Sequence, residues 1–399
     1  MRTLAIAALL LSVASCKVVV NPTTQPLPVM CSNSSFASQT FSHAGQQTEW
    51  SVCFKDLGIQ GLGISGAVFR TSPTAPGMTV LWEGRFADVF VPYHNGDPDF
   101  RFHDLKWGYL IPLTTADCPA SEGGTLRHAP NPTPGQPPGP RICQEIRPTG
   151  VAWRDAMGVR RGSELVLWGV YDMGNYKMIM EWSFRDDGVL QGRAGATGHN
   201  TATYPWVAHM HNVLWRLDMD IAGSNHDGAA LMTHGETGAN YIATDAVQPI
   251  AFEGGFTWDA PQFTGLLVED GVRKNLRAHA SGYTLMPIRS GTAYHQETFT
   301  HRSLWVTLYN HDNAANCGGI PEQTFELPCY VNNQMVADAD VVVWYMGSLH
   351  HHPRDEDGVS YEGNPNTPAD NTFTGVTPVM WTGFMLMPHN VFDTSPLWQ

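Results

Sequence analysis

The sequence predicts an all-β protein, one large antiparallel β-sandwich with few helices. Three observations lead there. Short apolar runs, alternating or rich in β-branched and aromatic residues, recur along the chain between Gly, Pro, Asn and Asp. Thirteen Trp supply the bulk that thick sheet-on-sheet packing needs. Convincing helical periodicity is scarce. The 399 residues would allow one big domain or two ordinary ones, and a 42% hydrophobic, 15% charged composition suits a large buried core. No linker divides the body, which favours a single domain.

Residues 1–16, MRTLAIAALLLSVASC, carry one Arg, an apolar run too short to span a bilayer, and then small residues. This is the pattern of a signal peptide, and it implies a secreted, periplasmic or extracellular protein. Val13-Ala14-Ser15-Cys16 also resembles a bacterial lipobox, in which Cys16 carries the lipid; ordinary cleavage nearby is the alternative. Residues 17–45 are rich in Ser, Thr, Pro and Gln and read as a tether, with the folded body over 46–399. Within the body MTVLWEG, SELVLWGVYD, YKMIMEWSF, VLWRLDMDI, SLWVTLYN and DVVVWYMGSL read as strands. Asp186-Asp187-Gly188 reads as the turn of a hairpin. Residues 121–140 and 354–375 are loops by composition, unable to run through a sheet interior.

Seven Cys less Cys16 leaves six, an even number consistent with pairing in an oxidising compartment. They fall as Cys31 and Cys53, Cys118 and Cys143, Cys317 and Cys329, but spacing alone leaves the connectivity open. The formal charge of -14 offers no basic stripe for a phosphate backbone, which excludes nucleic acid, and it mildly favours cationic ligands such as amines. A membrane would be reached only through a lipid on Cys16.

The chemistry concentrates in AHMHNVLWRLDMDIAG, residues 208–223. On a strand, positions i and i+2 share a face, so His209 and His211 point together, as a metal needs. A third imidazole is available in His350-His351-His352, directly after an apolar run, and such a set suits copper or zinc. Asp218 and Asp220 repeat the i, i+2 relation with carboxylates, which suit a hard cation such as calcium or, failing that, a solvent-facing strand.

HMHNVLWRLDMDI resembles the H-x-H…R-L-D-M-D segment of the copper-containing amine oxidases. Gly174-Asn175-Tyr176 resembles the family's G-N-Y segment, DVVVWYMGSLHHHPRDED its D-[IV]-V-[VL]-W…T-H-x-P-R-x-E-D segment, and GFMLMPHNVFDTSP its G-F-x-L-x-P-x-x-F-F-D-x-[SN]-P ending. The blocks occur in family order across roughly residues 45–399.

The resemblance implies the supersandwich of the family's catalytic domain and oxidative deamination of a small or peptidyl primary amine by O₂. Aldehyde, hydrogen peroxide and ammonia would be the products, and a homodimer the usual assembly. Two alternatives on the same scaffold are an exported copper-binding protein without the quinone and a copper oxidase of divergent chemistry. By the same resemblance Tyr176 becomes the quinone cofactor topaquinone, with Asn175 holding its ring. His209, His211 and His351 bind copper, His351 being selected because it precedes x-Pro-Arg and lies seven residues beyond Trp344. Asp104 is the base, Tyr93 the tyrosine that hydrogen-bonds the quinone, and Phe102 the side chain gating the amine channel. Cys118 and Cys143 match the family's disulfide. A calcium site would use Asp218, the Met219 carbonyl, Asp220, Asp340 and the Val341 carbonyl. Three positions depart from the pattern: Lys177 stands where the family has Asp or Glu, Asp172 where it often has Thr, and Asp104 lacks the usual Gly two residues later.

Overall fold

The computed structural model describes residues 31, 33–43, 45–92, 100–101, 108–129, 137–174, 176–198, 207–237, 242–258, 264–289, 302–309, 327, 331–352, 354, 377–394 and 396. Strands dominate. The first seven are β1 (Ser35–His43), β2 (Gln46–Asp56), β3 (Leu62–Arg70), β4 (Met78–Val91), β5 (Phe100–Arg101), β6 (Tyr109–Leu110) and β7 (Thr125–Arg127). Next come β8 (Ile142–Arg154), β9 (Val159–Met173), β10 (Tyr176–Arg185), β11 (Leu190–Gly198), β12 (His209–Asp218), β13 (Asp227–Thr237) and β14 (Ile242–Ile250). The last are β15 (Gly254–Phe256), β16 (Gly265–Lys274), β17 (Ala280–Ile288), β18 (Leu304–Leu308), β19 (Val341–His351) and β20 (Met380–His389).

Among the described residues these strands build two antiparallel sheets. One runs β1-β2-β3-β4-β12-β19-β18-β15, with β5 on β4; the other runs β14-β13-β16-β17-β20-β11-β10-β9-β8-β7, with β6 on β9. The inward faces share one core in which Trp50, Trp182 and Trp215 are wholly buried. Their rings fill the space between layers, and the indole N–H groups of Trp50 and Trp182 find carbonyl partners there. Trp50 donates to the Arg185 carbonyl at 2.8 Å and Trp182 to the Leu62 carbonyl at 3.2 Å, each bond crossing from one sheet to the other.

Each strand expected from sequence is present, and Asp186-Asp187-Gly188 does turn β10 into β11, with Gly188 at φ 85. Residues 35–43, assigned from sequence to the tether, instead form β1. Ala37 and Phe41 are buried, β1 pairs with β2 along its length, and Cys31 is bonded to Cys53. The polar residues of β1 that gave it a linker-like composition alternate with that buried set on an edge strand. Cys118 is bonded to Cys143, whereas Cys317 and Cys329 lie outside the described residues. The loop expected over 121–140 holds one short strand, β7, at the edge of its sheet.

β12 is central, paired with β4 on one side and β19 on the other. Its nearly continuous apolar run has a separate cause: both of its faces are buried as well. Inward go His209, His211, Val213, Trp215 and Leu217; outward, Leu214 joins Val342, Trp344 and Met346 of β19 in a second cluster. The register sets His209 opposite His351 and Met210 opposite His350. Two contacts hold it. A Cβ on Gly347 would lie 2.6 Å from the Trp215 ring, so only glycine fits under the indole. The buried Ser348 hydroxyl donates to Asn212 Oδ1 at 2.8 Å.

Candidate metal centre and tyrosine site

The two sheets bring four side chains to one buried point. β12 contributes His209 and His211, β19 contributes His351, and β10, in the opposite sheet, contributes Tyr176 from its first residue. All four are at most 3% exposed. One ring nitrogen from each histidine lies within 4.8 Å of the others, and His209 Nε2 and His211 Nε2 are 3.1 Å apart. Two imidazoles sharing one ion at bond lengths near 2.0–2.1 Å place their nitrogens about 3 Å apart, so the spacing fits a single metal. The donor set, three imidazoles with no thiolate, suits copper.

The protonation states agree. The Val207 carbonyl can only accept, so the 3.0 Å contact with His209 Nδ1 places the proton there and leaves the lone pair on Nε2, facing the other rings. Burial lowers the His209 pKa to about 3, against the Val207 hydrogen bond, with His351 and His350 lowering it further. Burial likewise pushes His211 well down, aided by His209 and His351. Both are neutral at physiological pH, the state in which an imidazole can ligate a cation.

Tyr176 closes the pocket. Its hydroxyl is hydrogen-bonded with His351 Nδ1 and lies 3.4 Å from His209 Nε2, and its ring centre is 4.5 Å from that of His211, edge-on. The turn before it is set by Gly174, at φ 79, whose N–H donates to Asp172 Oδ1 at 2.8 Å. Lys177 follows Tyr176 on the strand and so turns to the other face. There its ammonium reaches Asp172 Oδ1 at 2.8 Å and the Gly174 carbonyl at 2.7 Å. Asn175, Tyr93, Phe102 and Asp104 lie outside the described residues.

A second polar cluster lies beyond the end of β12. Carboxylate oxygens of Asp218, Asp220 and Asp340 fall within 4.8 Å of one another, and one oxygen each of Asp220 and Asp340 is buried without a hydrogen-bond partner among the described residues. The Met219 carbonyl accepts from Ile221 N–H and the Val341 carbonyl from Met219 N–H, which leaves each a second lone pair. Burial raises Asp218 to about 6, opposed by Arg216, which bonds it at 3.2 Å. Burial, then Asp218 and Asp340, raise Asp220 to about 7; burial raises Asp340 to about 6 against Arg216. Three crowded, dehydrated acids are the arrangement a hard cation relieves.

Sequence reasoning missed two neighbours of this cluster. Arg216 bonds Glu83 of β4 at 2.9 Å and so offsets part of the negative charge. Asp227 is wholly buried, and burial followed by Asp220, Asp270 and Asp340 lifts its pKa to about 10, so it stays protonated. The isolated bridge from Asp227 to Ala339 brings it there, a long-range pairing with no local signal.

The family described as "Copper amine oxidase, enzyme domain" matches residues 146–399. Primary amine oxidase 2 of Arabidopsis thaliana is 23% identical over 380 residues, 79% of this chain and 52% of that protein. The primary amine oxidase of Pisum sativum is 24% identical over 428 residues, 90% and 60% of the two chains. The crystal structure of a copper-containing benzylamine oxidase from Hansenula polymorpha superimposes with a TM-score of 0.67 at 15% identity, covering 90% of this chain and 62% of that one. The chain thus spans about half to three-fifths of the length of these relatives. With the match covering well over half of its residues, the chain belongs to the copper amine oxidase family.

Proposed function

We propose that the protein oxidises a primary amine with O₂ and water to an aldehyde, ammonia and hydrogen peroxide, using copper and a quinone derived from Tyr176. The observation that carries this reading is the meeting of a buried phenol from one sheet with three buried imidazoles from the other. His209, His211 and His351 would hold the copper. Copper supplies redox chemistry toward O₂, and the tyrosine-derived quinone supplies an electrophilic carbonyl and an electron sink for the amine.

The chain's own groups would do the rest. The layer of core side chains around Tyr176 excludes bulk water and fixes the ring against the histidines. Asp104 is proposed to take the proton from the carbon beside the amine nitrogen, a task that suits a carboxylate whose pKa burial raises from about 3.9 toward neutrality. Tyr93 would hydrogen-bond the ring oxygen, Asn175 would limit ring rotation, and Phe102 would gate the approach. The net charge of -14 favours a cationic amine in the encounter. Calcium at Asp218, Asp220 and Asp340, a homodimer, and export behind residues 1–16 with or without a lipid on Cys16 complete the proposal.

Lys177 motivates the competing reading of an exported copper-binding protein with an unmodified tyrosine. Its ammonium is engaged by Asp172 and Gly174 on the face away from the Tyr176 ring, which leaves the pocket free of its charge. The deciding experiment is to load the protein with copper in air and treat it with phenylhydrazine. A coloured protein with an adduct on the Tyr176 peptide is expected. A colourless protein that still binds copper supports the binding protein, and peroxide release without the adduct supports a copper oxidase of other chemistry.

A further inference from the structure

The His350-His351-His352 run sends its middle ring inward and the two flanking rings outward. His350 is half-buried and His352 exposed, on the face of β19 opposite the inner trio. Their ring centres are 5.8 Å apart. Imidazoles bound to one ion place their ring centres about 5–6 Å apart, given metal–nitrogen bonds near 2.0–2.1 Å. The inner pair His209 and His351 stands at 4.9 Å, so the separation of the outer pair is of the order that sharing an ion requires. The third donor comes from the neighbouring strand. Met210 is the cross-strand partner of His350, lies on the same outward face and is only partly buried. Directly opposed residues keep their Cβ atoms about 4.5–5.5 Å apart, within reach of a flexible thioether.

We propose that His350, His352 and Met210 form a second copper-binding site on the outer face of β12 and β19, separate from the inner trio. Two imidazoles and a thioether form a soft donor set that selects copper over magnesium or calcium. The outer site is open to solvent and has flexible ligands, so it binds more weakly than the enclosed trio. It requires no quinone and would exist whether or not Tyr176 is modified.

The test titrates cupric chloride into the metal-stripped full-length chain, reading bound copper after equilibrium dialysis and the electron paramagnetic resonance spectrum at each step. Wild type is expected to take a tight first equivalent and a second at least tenfold weaker, with its own signal. In His350→Ala/His352→Ala the second equivalent should vanish and the first remain, which also reports that β19 is folded. His352→Asn, just past the end of the strand and exposed, should weaken the second equivalent alone, and His351→Ala should remove the first and keep the second. Saturation of wild type at one equivalent, or a second equivalent that survives the double substitution, overturns the proposal. Phenylhydrazine labelling of Tyr176 in the same samples reads the amine-oxidase proposal independently.

Discussion

Lys177 Nζ lies 2.8 Å from Asp172 Oδ1, across the register pair next to the one that closes the hairpin of β9 and β10. Both residues depart from the family pattern, and each supplies the charge that the other lacks. The pair is partly exposed, so Lys177→Ala should cost less than about 1 kcal/mol. Lys177→Asp sets like charges opposite one another and should cost up to about 1 kcal/mol more. Exchanging the two residues should recover most of the loss. Urea denaturation of wild type, Lys177→Asp, Asp172→Lys and the exchanged pair, read as a double-mutant cycle, measures the coupling.

The inner trio should be indispensable for tight copper. Loss of a group that merely orients a metal ligand typically costs about 10–100-fold in affinity, so loss of a ligand itself should cost more than about 100-fold. His351→Ala and His211→Ala are expected to show this by competition with a chelator. Tyr176→Phe should bind copper as wild type does and give no phenylhydrazine adduct. An adduct elsewhere in Tyr176→Phe would show that a different residue is modified.

The acidic cluster predicts a pH-dependent need for a cation. Asp218, Asp220 and Asp340 have folded-state values raised from 3.8 to between about 6 and about 7. A raised carboxylate binds its proton more tightly in the folded state, so its contribution is present below about pH 4 and is lost as pH climbs through 6 to 7. Chelator-treated protein should therefore melt several degrees lower at pH 7.5 than at pH 5. Calcium should restore most of that difference at pH 7.5 and little at pH 5. Equal calcium effects at both pH values in differential scanning calorimetry would contradict the assignment.

Gly347→Ala should destabilise by about 1–3 kcal/mol, because its Cβ would press on the Trp215 ring at 2.6 Å and on Thr382 Oγ1 at 2.8 Å. Gly228→Ala is the control, since nothing lies within 4 Å of the added carbon. Thermal melts of the two compare the effects directly.

The central strands could be read in the sequence because their apolar runs are strong and local; β10, β12 and β19 begin or end within a few residues of the expected runs. The grouping of His209 with His211 followed from the period of two, whereas choosing His351 from three adjacent histidines needed the family pattern. In the structure His351 alone of the three is opposite His209 on the inward face. β1 was hidden because an edge strand with one buried face can carry the polar composition of a linker. Asp227 and Arg216 were hidden because their importance arises from partners far away in sequence, Ala339 and Glu83. Asp104 and Tyr93 lie outside the described residues, so their roles rest on the family pattern.

A run of identical residues carries no alignment information of its own. Were β19 displaced by one position, His350 or His352 would swing into the pocket and still offer an imidazole to His209 and His211, and a misthreaded chain could be rewarded by metal. The glycine under Trp215 and the hydroxyl on Asn212 remove that degeneracy, since a shifted strand would drive Met346 or Ser348 into the indole and break the buried hydrogen bond. The register of the histidine trio is thus held by a ring contact and a buried hydrogen bond a few residues away, neither of which needs an ion.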